Sequence, residues 1–95
     1  VEIEISQPNV FYLGQNYPNP FNPSTNIKYS IPADGNVTLK MYDILGEEVS
    51  TLVNEFQQAG TFDVVFDGSN LSSGVYYYQL TSGELTSTTK MMLTK

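Results

Sequence analysis

The chain has 95 residues, 40% of them hydrophobic, and carries ten acidic side chains against four lysines, for a net charge of −6 with no arginine. That size and apolar content fit one folded domain and argue against disorder, while nucleic acid and anionic membrane surfaces are poor partners, since each phosphate contact needs a cation. With no histidine and no cysteine, Ser-His-Asp and Cys-His nucleophilic sites, disulfides and zinc sites on nitrogen or sulfur ligands are excluded from the domain.

Val1-Glu2-Ile3-Glu4-Ile5 alternates apolar and acidic residues before Ser6-Gln7-Pro8-Asn9 breaks the pattern. This reads either as the end of a preceding region or linker, or as a first edge strand. The chain starts without methionine, so it is expected to be part of a longer protein, with residues 1–9 as linker and 10–95 as the domain proper. No apolar run approaches the ~20 residues of a membrane helix. No direct insertion into a membrane is expected.

Val10–Leu13 delivers the chain to Gly14 and then to Gln15-Asn16-Tyr17-Pro18-Asn19-Pro20-Phe21-Asn22-Pro23-Ser24-Thr25. Three prolines remove three backbone donors and bar both a helix and a central strand. Asn19-Pro20 and Asn22-Pro23 initiate turns. Tyr17 and Phe21 predict an ordered loop pinned to a core by its two rings, able to cross between sheets or cover an end of the core.

Thr25–Ile31 places Ile27, Tyr29 and Ile31 on one face and ends at Pro32. Ala33-Asp34-Gly35-Asn36 reads as a turn, and Val37–Asp43 sets Val37, Leu39 and Met41 inward, so the two runs are expected to pair antiparallel. Ile44-Leu45-Gly46-Glu47 is a tight reversal in which Gly46 takes positive φ. Glu48–Glu55 reads as a less regular strand carrying Val49, Leu52 and Val53, although Val49, Leu52, Val53 and Phe56 also stand at helix-face spacing. Thr61–Asp67 aligns Phe62, Val64 and Phe66, and Asp67-Gly68 turns it. Val75–Thr81 and Leu85–Thr94 close the chain around a Ser82-Gly83-Glu84 hairpin turn. About seven strands spaced in this way predict an all-β antiparallel sandwich.

No catalytic, cofactor-binding or metal-ligating residue is assigned. Asp63 and Asp67 stand about 13 Å apart along one strand at ~3.3 Å per residue, too far for a glycosidase carboxylate pair. No acidic run matches a calcium loop. Tyr76-Tyr77-Tyr78 puts Tyr76 and Tyr78 on one sheet face and Tyr77 on the other; the inward face is expected to pack in the core while the outer ring covers the sheet, and stacking on carbohydrate or a partner protein is the alternative. Lys90 and Lys95 flank Met91-Met92-Leu93, which fits either edge protection by lysine or a recognition signal.

The series Phe11-Tyr12-Leu13, Gln15 to Thr25 with its prolines, Ile27-Lys28-Tyr29-Ser30-Ile31-Pro32, Val37 to Gly46, Gly60, Leu71-Ser72-Ser73-Gly74-Val75-Tyr76 and Lys90 to Lys95 closely resembles the type A C-terminal sorting domain of the bacterial type IX secretion system. That family is related to the Ig-like domain of flagellar hook-capping proteins. The resemblance runs from about residue 10 to residue 95, and the proline stretch is its most specific part. It implies an Ig-like β-sandwich without catalysis of its own, at the C-terminus of a larger secreted protein. It further implies an outer-membrane secretion machinery as protein partner, an N-terminal cargo domain on the same chain, and delivery through the periplasm of a Gram-negative bacterium to the surface or medium. Carried over by position, its recurrent features fall on Pro18, Asn19, Pro20, Asp43, Gly46, Gly74, Tyr76, Lys90, Met91 and Lys95. Glu47 stands where the family commonly has a basic residue. The alternative reading is a structural or carbohydrate-binding accessory domain of a surface enzyme.

Overall fold

The computed structural model of the chain describes residues 10–94, so the expectations placed on residues 1–9 and on Lys95 lie outside the described residues. Among the described residues seven strands and no helix follow one another: β1 (Tyr12–Leu13), β2 (Ser24–Ile31), β3 (Gly35–Tyr42), β4 (Glu48–Gln57), β5 (Gly60–Asp67), β6 (Gly74–Ser82) and β7 (Leu85–Leu93). They form two antiparallel sheets, β1-β2-β5 and β4-β3-β6-β7. The expected all-β sandwich is therefore the fold, and the helix alternative for 47–58 is excluded by β4.

The core is made by the period-2 alternation of the strands. Ile27, Tyr29 and Ile31 of β2 face Val37, Leu39 and Met41 of β3, Tyr76, Tyr78 and Leu80 of β6, and Met91 and Leu93 of β7, all in one buried cluster with Phe21 and Phe66. Residues directly opposite in a ladder share a face, so Met41↔Tyr78↔Thr89 and Leu39↔Leu80↔Ser87 point inward, while Tyr42↔Tyr77↔Lys90 and Lys40↔Gln79↔Thr88 point outward.

The expected pairing of β2 with β3 is incorrect. β2 pairs with β1 and β5, and β3 pairs with β4 and β6. Alternation shows that both strands have an apolar face, but the same pattern serves strands lying side by side and strands facing each other across a core. Here Pro32-Ala33-Asp34 carries the chain from one sheet to the other. Asp34 Oδ1 accepts a hydrogen bond from Ala59 N at 2.8 Å, tying this crossover to the one between β4 and β5.

β4 deviates from strict alternation for an identifiable reason. The β3–β4 register shifts between Leu39 and Lys40 and again between Met41 and Tyr42. Each such irregularity resets which face a residue takes, so the adjacent Leu52 and Val53 both pack on the core, while Val49 is exposed. The same irregularity produces the helix-like spacing in the sequence.

The registers also fix which loops share an end. The start of β2, the end of β5, the β3–β4 turn, the start of β6 and the end of β7 all lie at one end of the sandwich. The crossovers at 32–34 and 58–59 and the β6–β7 turn lie at the other.

Candidate functional site

The proline segment joins the two sheets along one side. Tyr17 and Asn26 exchange two backbone hydrogen bonds of 2.9 Å with each other, which holds the segment to β2. Four residues later Phe21 N donates to Met92 O at 3.0 Å, and Thr94 N donates to Phe21 O at 2.9 Å. Two side chains complete this attachment: Gln15 Nε2 donates to Lys90 O at 2.9 Å, and Met92 N donates to Asn19 Oδ1 at 3.0 Å. The outer edge of β7, from Lys90 to Thr94, is thus occupied by the segment. The peptide bonds preceding Pro18, Pro20 and Pro23 are cis.

One of the two rings anchors this seam. Phe21 is 1% exposed and meets Phe66 edge to face at 6.0 Å between ring centres. Tyr17, expected as the second anchor, is 79% exposed; its backbone holds β2 while its ring stands on the outer face of the three-stranded sheet. The second anchor is polar. Asn16 is buried, and its Nδ2 donates to Pro18 O and Thr25 Oγ1 at 3.1 Å each, while Thr25 Oγ1 donates to Pro18 O at 2.9 Å. A buried amide is tolerated because its hydrogens are taken. Tyr78 extends the attachment, its hydroxyl donating to Gly14 O at 2.6 Å. Burial is the main reason that its phenol is pushed up to about 12.

Gly68 lies against this seam. A Cβ there would stand 3.2–3.3 Å from Phe21, Phe66 and Leu93 side chains, so the glycine lets the backbone lie against the core. Gly68 N also donates to Pro23 O at 2.7 Å.

The β3–β4 turn is built by Asp43. Its Oδ1 accepts from Leu45 N and Glu47 N at 2.9 Å each, and Gly46 N donates to Asp43 O at 3.0 Å with Gly46 at φ 85°. An aspartate that accepts from following backbone amides is a turn former, and φ of that sign favours glycine. Both residues therefore have a structural reason to be present. Ile44 and Leu45, between them, are 69% and 80% exposed. The turn leans over the outer face of the four-stranded sheet and encloses, with Tyr42, Tyr77, Gln79 and Thr88, a groove of about 350 Å³.

The sequence candidates fall into three settings. Pro18, Asn19 and Pro20 are exposed on the seam, where Asn19 bonds Met92 and the nearby Gln15 bonds Lys90 of β7. Met91 is buried and lies opposite Tyr76 in the ladder, as Leu93 lies opposite Gly74. The Met91-Met92-Leu93 run is therefore not an apolar surface patch: two of its three side chains are core. Tyr76 is also buried, its hydroxyl donating to Ser72 O at 2.7 Å, and Tyr78 is fully buried, so neither offers a ring for stacking. Asp43 and Gly46 sit on the turn, two strand spacings from β7 in the sheet order β3-β6-β7, roughly 10 Å across. Thus the seam, the turn and Gly74 share one end of the molecule, while Tyr76 and Met91 support that end from inside.

Sequence reasoning missed Asn16, Gly68, Ile44 and Leu45. The last two carried a readable signal, because consecutive branched apolar residues at the tip of a turn have no core to enter.

A family model described as a secretion system C-terminal sorting domain matches residues 15–94. Searches of the curated proteins and of the solved structures give no significant match. The matched span opens on Gln15, the first residue of the seam, and takes in β2 to β7 whole. The chain belongs to the family of type IX secretion C-terminal sorting domains.

Proposed function

We propose that residues 10–95 form a non-catalytic address, carried behind a larger cargo, that a protein receptor of the outer-membrane secretion machinery reads on its way from periplasm to surface or medium. The surface read is the end of the sandwich that holds the proline seam and the β3–β4 turn. Membership of the sorting-domain family supports the role. The observation that carries the choice of surface is the exposed pair Ile44 and Leu45, held out by a turn that Asp43 closes with its own hydrogen bonds. Pro18, Asn19, Pro20 and Lys90 border the same end, and Gly74, Tyr76 and Met91 hold it in shape.

The test compares secretion of a reporter carrying residues 10–95 with that of two surface variants. Ile44→Ser combined with Leu45→Ser is expected to abolish secretion while leaving the denaturation midpoint unchanged. Phe56→Ser, an exposed apolar residue near the far end of β4, is expected to leave secretion intact. Normal secretion of the double variant overturns the choice of surface.

A further inference from the structure

We propose that the free edge of β5 is a separate docking surface, which takes an extended segment of a partner protein with alternating apolar and cationic side chains as a fourth strand of the smaller sheet. This goes beyond the sorting role and stands independently of it. The direction of the backbone groups carries the argument. Gly14 N donates to Lys28 O at 2.8 Å, and Asn26 exchanges both of its backbone bonds with Tyr17. Lys28 and Asn26 therefore direct their backbone groups toward the β1 side of β2. In an antiparallel ladder hydrogen-bonded and non-hydrogen-bonded pairs alternate, so Lys28↔Asp63 and Asn26↔Val65 are non-hydrogen-bonded pairs. Asp63 and Val65, and Thr61 by the same alternation, turn N–H and C=O away from β2. β5 is the terminal strand of its sheet, and no described strand meets those groups.

The other three edges carry devices that natural sheets use against pairing. The end of β7 carries the proline seam, β1 has two residues, and β4 has two register shifts. β5 has eight paired residues in unbroken register, with no proline and no lysine.

Chemistry selects the occupant. On the outer face β5 shows Asp63 and Asp67 on either side of Val65, which is 69% exposed. The chain as a whole carries −6. A second copy of β5 would bring like carboxylates together, which is unfavourable across a ladder, whereas Lys or Arg on an added strand would face them. On the inner side the half-buried Phe62 and Val64 would receive the alternate, apolar side chains.

Amide hydrogen exchange on the full chain tests this, with a synthetic peptide of alternating valine and lysine as probe. Expected is a slowing of at least about tenfold at Thr61, Asp63 and Val65, with Phe62 and Val64 unchanged because β2 already protects them, and reversal at high salt. Asp63→Pro removes an outward donor that β2 does not use and is expected to abolish the effect. Asp63→Asn leaves the backbone intact and is expected to weaken it, which keeps the test decisive if the proline variant fails to fold. Three results overturn the proposal: no slowing at these amides, equal slowing by a valine–glutamate peptide, or slowing without peptide that tracks a dimer in sedimentation.

Discussion

Replacing Phe21 by alanine separates anchoring by a ring from anchoring by the backbone. The side chain is 1% exposed, lies edge to face on Phe66, and borders Gly68 beside Leu93. Phe→Ala in a core typically costs about 3–5 kcal/mol, the upper part arising where the surroundings cannot collapse into the space. Pro20 and Pro23 flank this stretch and hold the chain stiffly, and the ring pair adds roughly 0.5–1.5 kcal/mol beyond burial. A loss of about 4 kcal/mol is expected, against a total of roughly 5–15 kcal/mol for a domain of this kind. With a urea dependence of about 1–2 kcal/mol per molar, the midpoint should fall by roughly 2 M or more. Tyr17→Ala is the matched control. Its ring is 79% exposed, so its change should stay within about 0.5 kcal/mol. Urea denaturation followed by tyrosine fluorescence reads both. If the two substitutions cost the same, or if Phe21→Ala costs under 1 kcal/mol, the seam is not held by this ring.

Three further perturbations probe the same attachment. Asn16→Ala leaves Pro18 O and Thr25 Oγ1 with fewer partners in a buried site and should cost about 1–3 kcal/mol in chemical denaturation. Gly68→Ala forces Phe21, Phe66 and Leu93 to give way by a few tenths of an ångström; a loss of about 1–3 kcal/mol is expected, typical of overpacking, and a stabilised variant would contradict the close approach. Tyr78 predicts an alkaline signature. Its phenol holds its proton up to about pH 12 in the fold and to about 10 when unfolded, so above pH 10 the unfolded state binds fewer protons. Its contribution is therefore complete below pH 10 and is lost between about 10 and 12, by up to a factor of about ten in the folding equilibrium per pH unit. In Tyr78→Phe, which is also expected to be less stable at pH 7, stability measured across that window should fall less steeply.

Much of the fold could be read from the sequence because alternation survives in β2, β3, β5 and β6. Ile27, Tyr29 and Ile31, or Val37, Leu39 and Met41, are recognisable as inward faces without knowing what they face. The partner of each face was not legible. β2 and β3 have the composition of a hairpin, and the difference lies in three residues, Pro32 to Asp34, whose path across the core depends on a bond to Ala59 twenty-five positions on. The proline segment showed the opposite balance. Its order followed from Pro18, Pro20, Pro23 and its rings, and joining the sheets was one of two roles left open for it, yet Tyr17 and Phe21 look alike in sequence and part ways in space. Asn16 was unreadable because a polar residue shows no burial preference until its partners, Pro18 and Thr25, are in place. For the candidate surface, Gly46 was identified as a turn residue from local chemistry, whereas Asp43 was read as the end of the preceding strand and was singled out only by the family resemblance. That they share an end with the seam follows only from the registers of β3, β6 and β7.

The most direct test of the sorting role is to attach residues 10–95 to a reporter exported to the periplasm of a bacterium with a type IX system and to measure the fraction found outside the outer membrane. The account predicts secretion comparable to a natural cargo of that host, and retention of the folded variant that combines Ile44→Ser with Leu45→Ser. A reporter that stays in the periplasm with the intact, folded domain attached, while the natural cargo is secreted normally, would contradict it.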